Sequence, residues 1–273
     1  MSQTKIEWCD KVWNPITGCS PVSGGCANCY AKRMANRLKG RYGYPQDDPF
    51  KVTFHPDRLD EPLHWKKPCR IFVCSMGDLF HPKVLFHIYQ EISQIIDQCP
   101  QHTFLLLTKR PQTMRDTWIW QYPNLWLGVS VEDQKTADER IPILLQIPAA
   151  YYWISHEPGL GMVTYPKEFL SLKNRAWLVT GGETGPKARP MHPDIPRHDR
   201  DQCQSAGVPF FFKSWGEWGL HNDHFGAGLF LKPDGSLGCQ GDSWDGNVQA
   251  IRKVGKKNAG RLLDGKIWEE YPS

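Results

Sequence analysis

No stretch of this chain approaches the roughly 20 consecutive apolar residues that a membrane-spanning helix needs, so no membrane association is expected. The opening residues, MSQTKIEWCD, lack a basic segment followed by an apolar one. No secretory signal is therefore visible, and a cytoplasmic location is expected. An excess of one charge is also missing, since 33 Lys+Arg against 29 Asp+Glu leave a net +4. That is too mild for a dedicated nucleic-acid binder, which carries a concentrated basic face. Internal repeats and low-complexity segments are absent, and a 12% aromatic content excludes a disordered chain. What remains is a chain of 273 residues, long enough for one large α/β domain or two smaller ones. Its nine cysteines are an odd number without an export signal. Metal or redox chemistry explains them better than disulfides do.

Short apolar runs alternate with longer mixed stretches. The runs are Arg70–Cys74, Thr103–Leu107, Leu125–Val129, Tyr151–Ser155, Ala176–Val179 and Val208–Phe212. Each is four or five residues, rich in β-branched or aromatic side chains and bounded by Pro, Gly, Asn or charges, as strands buried on both faces are. Between them, Pro82–Gln98 places Val84, Ile88, Ile92 and Ile95 at helical spacing. Asp133–Ile147 predicts a second helix that Pro142 must kink or shorten. Ile195–Ala206 predicts a third, ending at Gly207 as its C-cap. Strand, helix, strand in series implies parallel strands. The expected class is α/β, a partial or full TIM-type (β/α) barrel, with an open doubly wound sheet as the competitor. The barrel is expected over residues 1–219. Residues 220–273, with seven glycines from Gly226 to Gly255, are expected to form a loop-rich extension packed on it.

The ends of these runs carry charge in a consistent pattern. Asp78, Lys109, Glu132, Glu157, Glu183 and Lys213 each follow one of six successive runs within a few residues. Any one of them is explained by a strand having to end in something polar. Six in a row, with both signs, favour a polar pocket at the carboxyl edge of a parallel sheet, where α/β folds bind ligands. Gly181 and Gly182 precede Glu183 and would allow a ligand close to the backbone. His156 is either a base or a hydrogen-bonded structural histidine.

The strongest chemical signal lies near the N-terminus, where Cys19, Cys26 and Cys29 are spaced C-x6-C-x2-C around Pro21, Gly24 and Gly25. Cys29 opens an expected helix, CYAKRMANRL. Three thiolates from a loop and a helix start suit zinc or an iron–sulfur cluster. Structural zinc wants four ligands, and no second C-x2-C exists. Cys9, ten residues upstream, is the one candidate for a fourth. Three cysteines without a clear fourth match a four-iron cluster with one iron open to a ligand. Cys69, Cys74, Cys99, Cys203 and Cys239 are scattered and read as ordinary thiols.

The run NPITGCSPVSGGCANCYAKRMANR resembles the N-terminal signature of a phage-associated three-Cys-motif family, which looks like a branch of the radical S-adenosylmethionine (SAM) superfamily. The resemblance continues through SMGDLF (Ser75–Phe80), LTKRP (Leu107–Pro111), GVSVED (Gly128–Asp133), SHEPGLG (Ser155–Gly161) and GGETGPKARPM (Gly181–Met191). VPFFFKSWGEW (Val208–Trp218) and the closing LLDGKIWEEYP complete it, so that it covers nearly the whole chain. The order of cluster loop and strand-end motifs is also similar to spore photoproduct lyase and its relatives. The first cysteine gap is six, where the superfamily's commonest spacing has three; the three-Cys family shares the longer gap.

The resemblance implies a barrel with a [4Fe-4S] cluster on Cys19, Cys26 and Cys29 at its mouth, and SAM chelated by the open iron. One electron would cleave SAM to a 5′-deoxyadenosyl radical, while the protein orients substrate and excludes water. Asp78, Glu132, Glu157 and Glu183 are candidates for SAM's ammonium or ribose. Lys109, Arg189 and Lys213 are candidates for its carboxylate or an anionic substrate, and Ser130, Gly181 and Gly182 line the same motifs. Expected partners are an electron donor of the flavodoxin or ferredoxin type, a three-Cys-motif partner protein, and a nucleic acid or modified nucleotide as substrate, with peptide as the alternative. The nucleic-acid expectation rests on the likeness to DNA lyases, on basic residues Arg252, Lys253, Lys256, Lys257 and Arg261, and on Trp215 and Trp218 as stacking surfaces. A second reading makes the cysteines a zinc- or cluster-holding clip on a nucleic-acid-binding or interaction protein without radical chemistry. Tyr30, Arg33, Arg37, Lys39, Arg41 and the basic tail would then meet phosphates.

Overall fold

A computed structural model describes residues 4–220, 229–238 and 248–273. The chain divides into two compact units, Met1–Ser130 with Arg140–Trp153, and Val131–Glu139 with Ile154–Ser273. In chain order the first elements are β1 (Lys11–Trp13), β2 (Ile16–Thr17), α1 (Tyr30–Arg37), β3 (Thr53–Phe54), β4 (Arg70–Val73), α2 (Phe86–Asp97), β5 (Thr103–Thr108) and α3 (Pro111–Thr117). There follow β6 (Leu125–Val131), α4 (Gln134–Leu144), β7 (Tyr151–His156), α5 (Lys167–Leu170), β8 (Ala176–Gly181), α6 (Asp194–Ala206) and β9 (Phe210–Ser214). The chain closes with β10 (Trp218–Leu220), β11 (Leu229–Leu231), β12 (Leu237–Gly238), β13 (Gln249–Lys253) and α7 (Lys256–Ala259).

Seven strands form one sheet in the order β1-β4-β5-β6-β7-β8-β9. All run parallel, and the sheet curls as a half-barrel, so the barrel is partial rather than closed. Each of the six apolar runs is a strand of this sheet. Every residue of β6 is buried, which is why it reads as an uninterrupted apolar run. A Cβ at Gly128 in its middle would lie 2.4 Å from the Trp153 indole nitrogen. That nitrogen donates to the Leu106 carbonyl at 2.9 Å. Trp153 packs edge to face on Trp8 and Phe72, which are tilted against each other, with ring centroids 4.8 to 6.4 Å apart.

α2 and α4 follow their sequence signals with shorter ends. α2 starts at Phe86, four residues later than its periodicity suggests, and buries Ile88, Ile92, Ile95 and Ile96. α4 continues through Pro142 and stops two residues later. α6 ends at Gly207, whose φ of 74° is left-handed.

In the second unit the outer edge of β9 is covered. Phe212 N–H donates to the Trp268 carbonyl at 3.0 Å and Glu270 N–H to the Phe210 carbonyl at 3.1 Å. Edge strands left bare invite aggregation, and the closing LLDGKIWEEYP segment performs this covering. The tail expected to be loop-rich carries regular structure. β10, β13, β11 and β12 form an antiparallel sheet. Its strands are two to five residues long, too short to stand out among so many glycines. Cys239 lies outside the described residues. The eight described cysteines are free thiols. No helix of the described residues is long and apolar enough to cross a membrane.

Candidate cofactor site at the strand ends

The cysteine loop of the first unit is fastened to the segment that leaves β4. Asn14 Oδ1 accepts from Ser75 Oγ at 3.1 Å and from Met76 N–H at 2.9 Å. Gly18 N–H donates to the Met76 carbonyl at 2.9 Å, and Tyr30 O–H to the Ser75 carbonyl at 2.5 Å. Gly18 has φ 84°, and a Cβ there would lie 2.1 Å from the Lys51 carbonyl oxygen, so only glycine fits. Cys26 closes a short 3-10 turn, Gly24–Cys26, and Cys29 is the N-cap of α1.

Cys19 meets a charged network built on the ends of β4 and β5. Arg110 Nη1 donates to Cys19 Sγ at 3.3 Å and to Asp78 Oδ2 at 3.0 Å. Arg110 Nη2 reaches the Ser20 carbonyl at 2.7 Å and Ser20 Oγ at 3.1 Å. Ser20 Oγ also bonds His81 Nε2 at 2.9 Å. Asp78 is 5% exposed, and both its oxygens take donors from this chain: Thr108 Oγ1 at 2.8 and 3.0 Å, Phe80 N–H at 3.0 Å and Arg110. Burial, then the Asp78 carboxylate, push the Cys19 thiol up to about 11, while Arg110 works against both. Arg110 is the member of this network that the sequence pattern alone does not single out. Its one signal was its place in LTKRP, directly after Lys109 and before Pro111. Lys109 itself turns to Ser130, with Nζ to Oγ at 2.9 Å.

In the second unit the strand-end charges form pairs of their own. Lys213 Nζ lies 2.8 Å from Glu157 Oε1, and Ser155 Oγ donates to Glu157 Oε2 at 3.2 Å. Arg189 grips Glu183 with its backbone N–H at 2.7 Å, Nε at 3.1 Å and Nη2 at 2.7 Å. Gly181 and Gly182 have a reason within the protein. A Cβ at Gly181 would meet Glu157 Oε1 at 2.6 Å, and one at Gly182 would meet the Trp215 carbonyl oxygen at 2.1 Å.

Glu132 is buried, and its carbonyl accepts from Leu160 and Gly161 N–H at 2.9 and 3.2 Å. The same carbonyl lies 3.3 Å from His156 Nε2. His156 is fully buried, with Nδ1 2.8 Å from Asp199 Oδ2. It belongs to a core network rather than to an open site.

Of the residues expected to meet a nucleic acid, Trp215 is buried and donates to the Leu262 carbonyl at 2.9 Å. Lys253 bonds the Pro186 carbonyl, and Arg261 pairs with Glu269 at 2.6 Å.

Among the described residues, no group of three or more His, Cys, Asp or Glu side chains could hold a single metal ion. A four-iron cluster makes a different demand, one thiolate for each ligated iron. The donor chemistry here, three soft thiols with a guanidinium donating to one of them, fits such a cluster. Residues 3–272 match the family described as protein of unknown function (DUF5131), and the chain belongs to that family. No curated protein and no solved structure matches it.

Proposed function

We propose that this protein is a radical SAM-type enzyme in which Cys19, Cys26 and Cys29 hold a [4Fe-4S] cluster. The observation that carries the reading is the fastening of the cysteine loop to the carboxyl ends of β4 and β5 through Asn14, Asp78 and Arg110. Parallel α/β sheets bind their ligands at that edge. Cys19, Cys26 and Cys29 would hold the cluster, which, once reduced by a flavodoxin- or ferredoxin-type donor, would supply the one electron needed for reductive cleavage of SAM.

The chain's own residues do the rest. Asp78 is held by Thr108 and Phe80, so it orients Arg110 and does not itself swing. Arg110 balances the negative charge that gathers on the Cys19 sulfur. Lys109 and Ser130, in the unit that carries the cysteines, are proposed to contact SAM. Each is assigned by its own variant.

The test is to incubate anaerobically loaded, reduced protein with SAM. The expected result is slow formation of 5′-deoxyadenosine, lost in Cys19→Ala, Cys26→Ala and Cys29→Ala. A fully loaded cluster that neither binds SAM nor yields 5′-deoxyadenosine overturns the proposal.

A further inference from the structure

Arg110 occupies an unusual position for a surface-capable side chain. It precedes Pro111 at the start of α3, where the proline ring bars its backbone from the helical region. Its side chain is only 10% exposed and that of its partner Asp78 only 7%. The guanidinium spreads its donors over three residues: Cys19 Sγ, Asp78 Oδ2, and the carbonyl and hydroxyl oxygens of Ser20. It cannot turn away without stranding the buried Asp78 carboxylate, which is itself clamped by Thr108 and Phe80. The cation is therefore held against one sulfur by a rigid frame.

We infer that Arg110 is a positioning residue that raises the reduction potential of a cluster ligated through Cys19, with Asp78 as its counterweight. The inference rests on the cluster reading above. Adding an electron to a thiolate-ligated cluster increases negative charge on its sulfurs. A hydrogen-bonded cation therefore stabilises the reduced form more than the oxidised one. A neighbouring carboxylate acts in the opposite sense. Removing Arg110 takes away the cation and leaves the Asp78 charge unbalanced beside Cys19, so both effects lower the potential. Removing the Asp78 charge leaves the guanidinium unopposed and raises it. The two variants are required to move the potential in opposite directions, which loss of packing alone would not do.

The experiment is a redox titration of the full chain after anaerobic iron and sulfide loading, followed by electron paramagnetic resonance. Iron and sulfide are measured in the same samples. Arg110→Gln is expected to load normally and to shift the reduction equilibrium at least tenfold toward the oxidised form, about 59 mV for one electron. Arg110→Lys, which keeps the charge, is expected to recover part of the shift. Asp78→Asn is expected to move the potential positive. A loaded Arg110→Gln protein with unchanged potential overturns the inference while leaving the cluster reading intact. If Arg110→Gln does not fold or load, the signs of Arg110→Lys and Asp78→Asn decide, and a shift of both in one direction overturns it. Wild-type protein that takes up no iron or sulfide overturns the cluster reading, and this inference with it.

Discussion

Asp199 and His156 are both fully buried, and burial of charge demands donors and acceptors to match. Asp199 Oδ2 accepts from Thr180 Oγ1 at 2.6 Å and faces His156 Nδ1, while Oδ1 accepts from Tyr165 O–H at 3.0 Å. Both nitrogens of His156 thus face acceptors, Asp199 on one side and the Glu132 carbonyl on the other. Burial by itself lowers the His156 pKa, but the charge and hydrogen bond of Asp199 outweigh it, and the net direction is up. A histidine raised in the folded state contributes stability in full below its unfolded value of about 6.5. That contribution is lost as pH rises through the folded value. Denaturation midpoints are therefore expected to fall on going from pH 6 to alkaline pH. Asp199→Asn is expected to cost about 3 kcal/mol at pH 6 and to flatten the pH dependence, as read by urea titrations at several pH values. Sequence left His156 undecided between base and structural residue, because its partner comes from α6, 43 residues away.

At the scale of elements, two glycines separate backbone conformation from close approach. Gly207 ends α6 in the left-handed region, and a Cβ added there would have nothing within 4 Å. Gly207→Ala is expected to cost only the conformational penalty, about 1 kcal/mol, with Gly207→Asn costing less, both measured by chemical denaturation. Gly18 combines a positive φ with a carbonyl 2.1 Å from its missing Cβ. Gly18→Ala is expected to displace the cysteine loop and reduce iron uptake, which Gly207→Ala is not. The six long strands were legible because burial on both faces writes them as apolar runs. β1 was not, because Lys11, Val12 and Trp13 are too short a run and their pairing with Ile71, Phe72 and Val73 is distant in sequence. α3 was hidden for a related reason, since only Pro111 and Met114 of its residues are buried.

Over the whole molecule, the sequence carried the parallel α/β architecture and the cysteine loop, because both rest on local patterns. It did not carry the pairing of the strand-end charges. Asp78 with Arg110, Glu157 with Lys213 and Glu183 with Arg189 depend on where the strands end in space. Nor did it show that Trp215, Lys253 and Arg261 are engaged within the fold. The nucleic-acid expectation for the basic tail is tested at Lys256 and Lys257. At about 0.9 of log–log salt slope for each duplex phosphate contact, Lys256→Ala/Lys257→Ala is expected to reduce the slope by about two. Undetectable binding of DNA and RNA at low salt points instead to a peptide or small-molecule substrate. The most direct test of the central claim is the iron and acid-labile sulfide content of protein purified without oxygen. Wild-type protein and Cys69→Ala are expected to be brown and to hold iron and sulfide in equal amounts, whereas Cys19→Ala, Cys26→Ala and Cys29→Ala are expected to be bleached. Stoichiometric zinc with no sulfide after anaerobic iron loading would contradict the account.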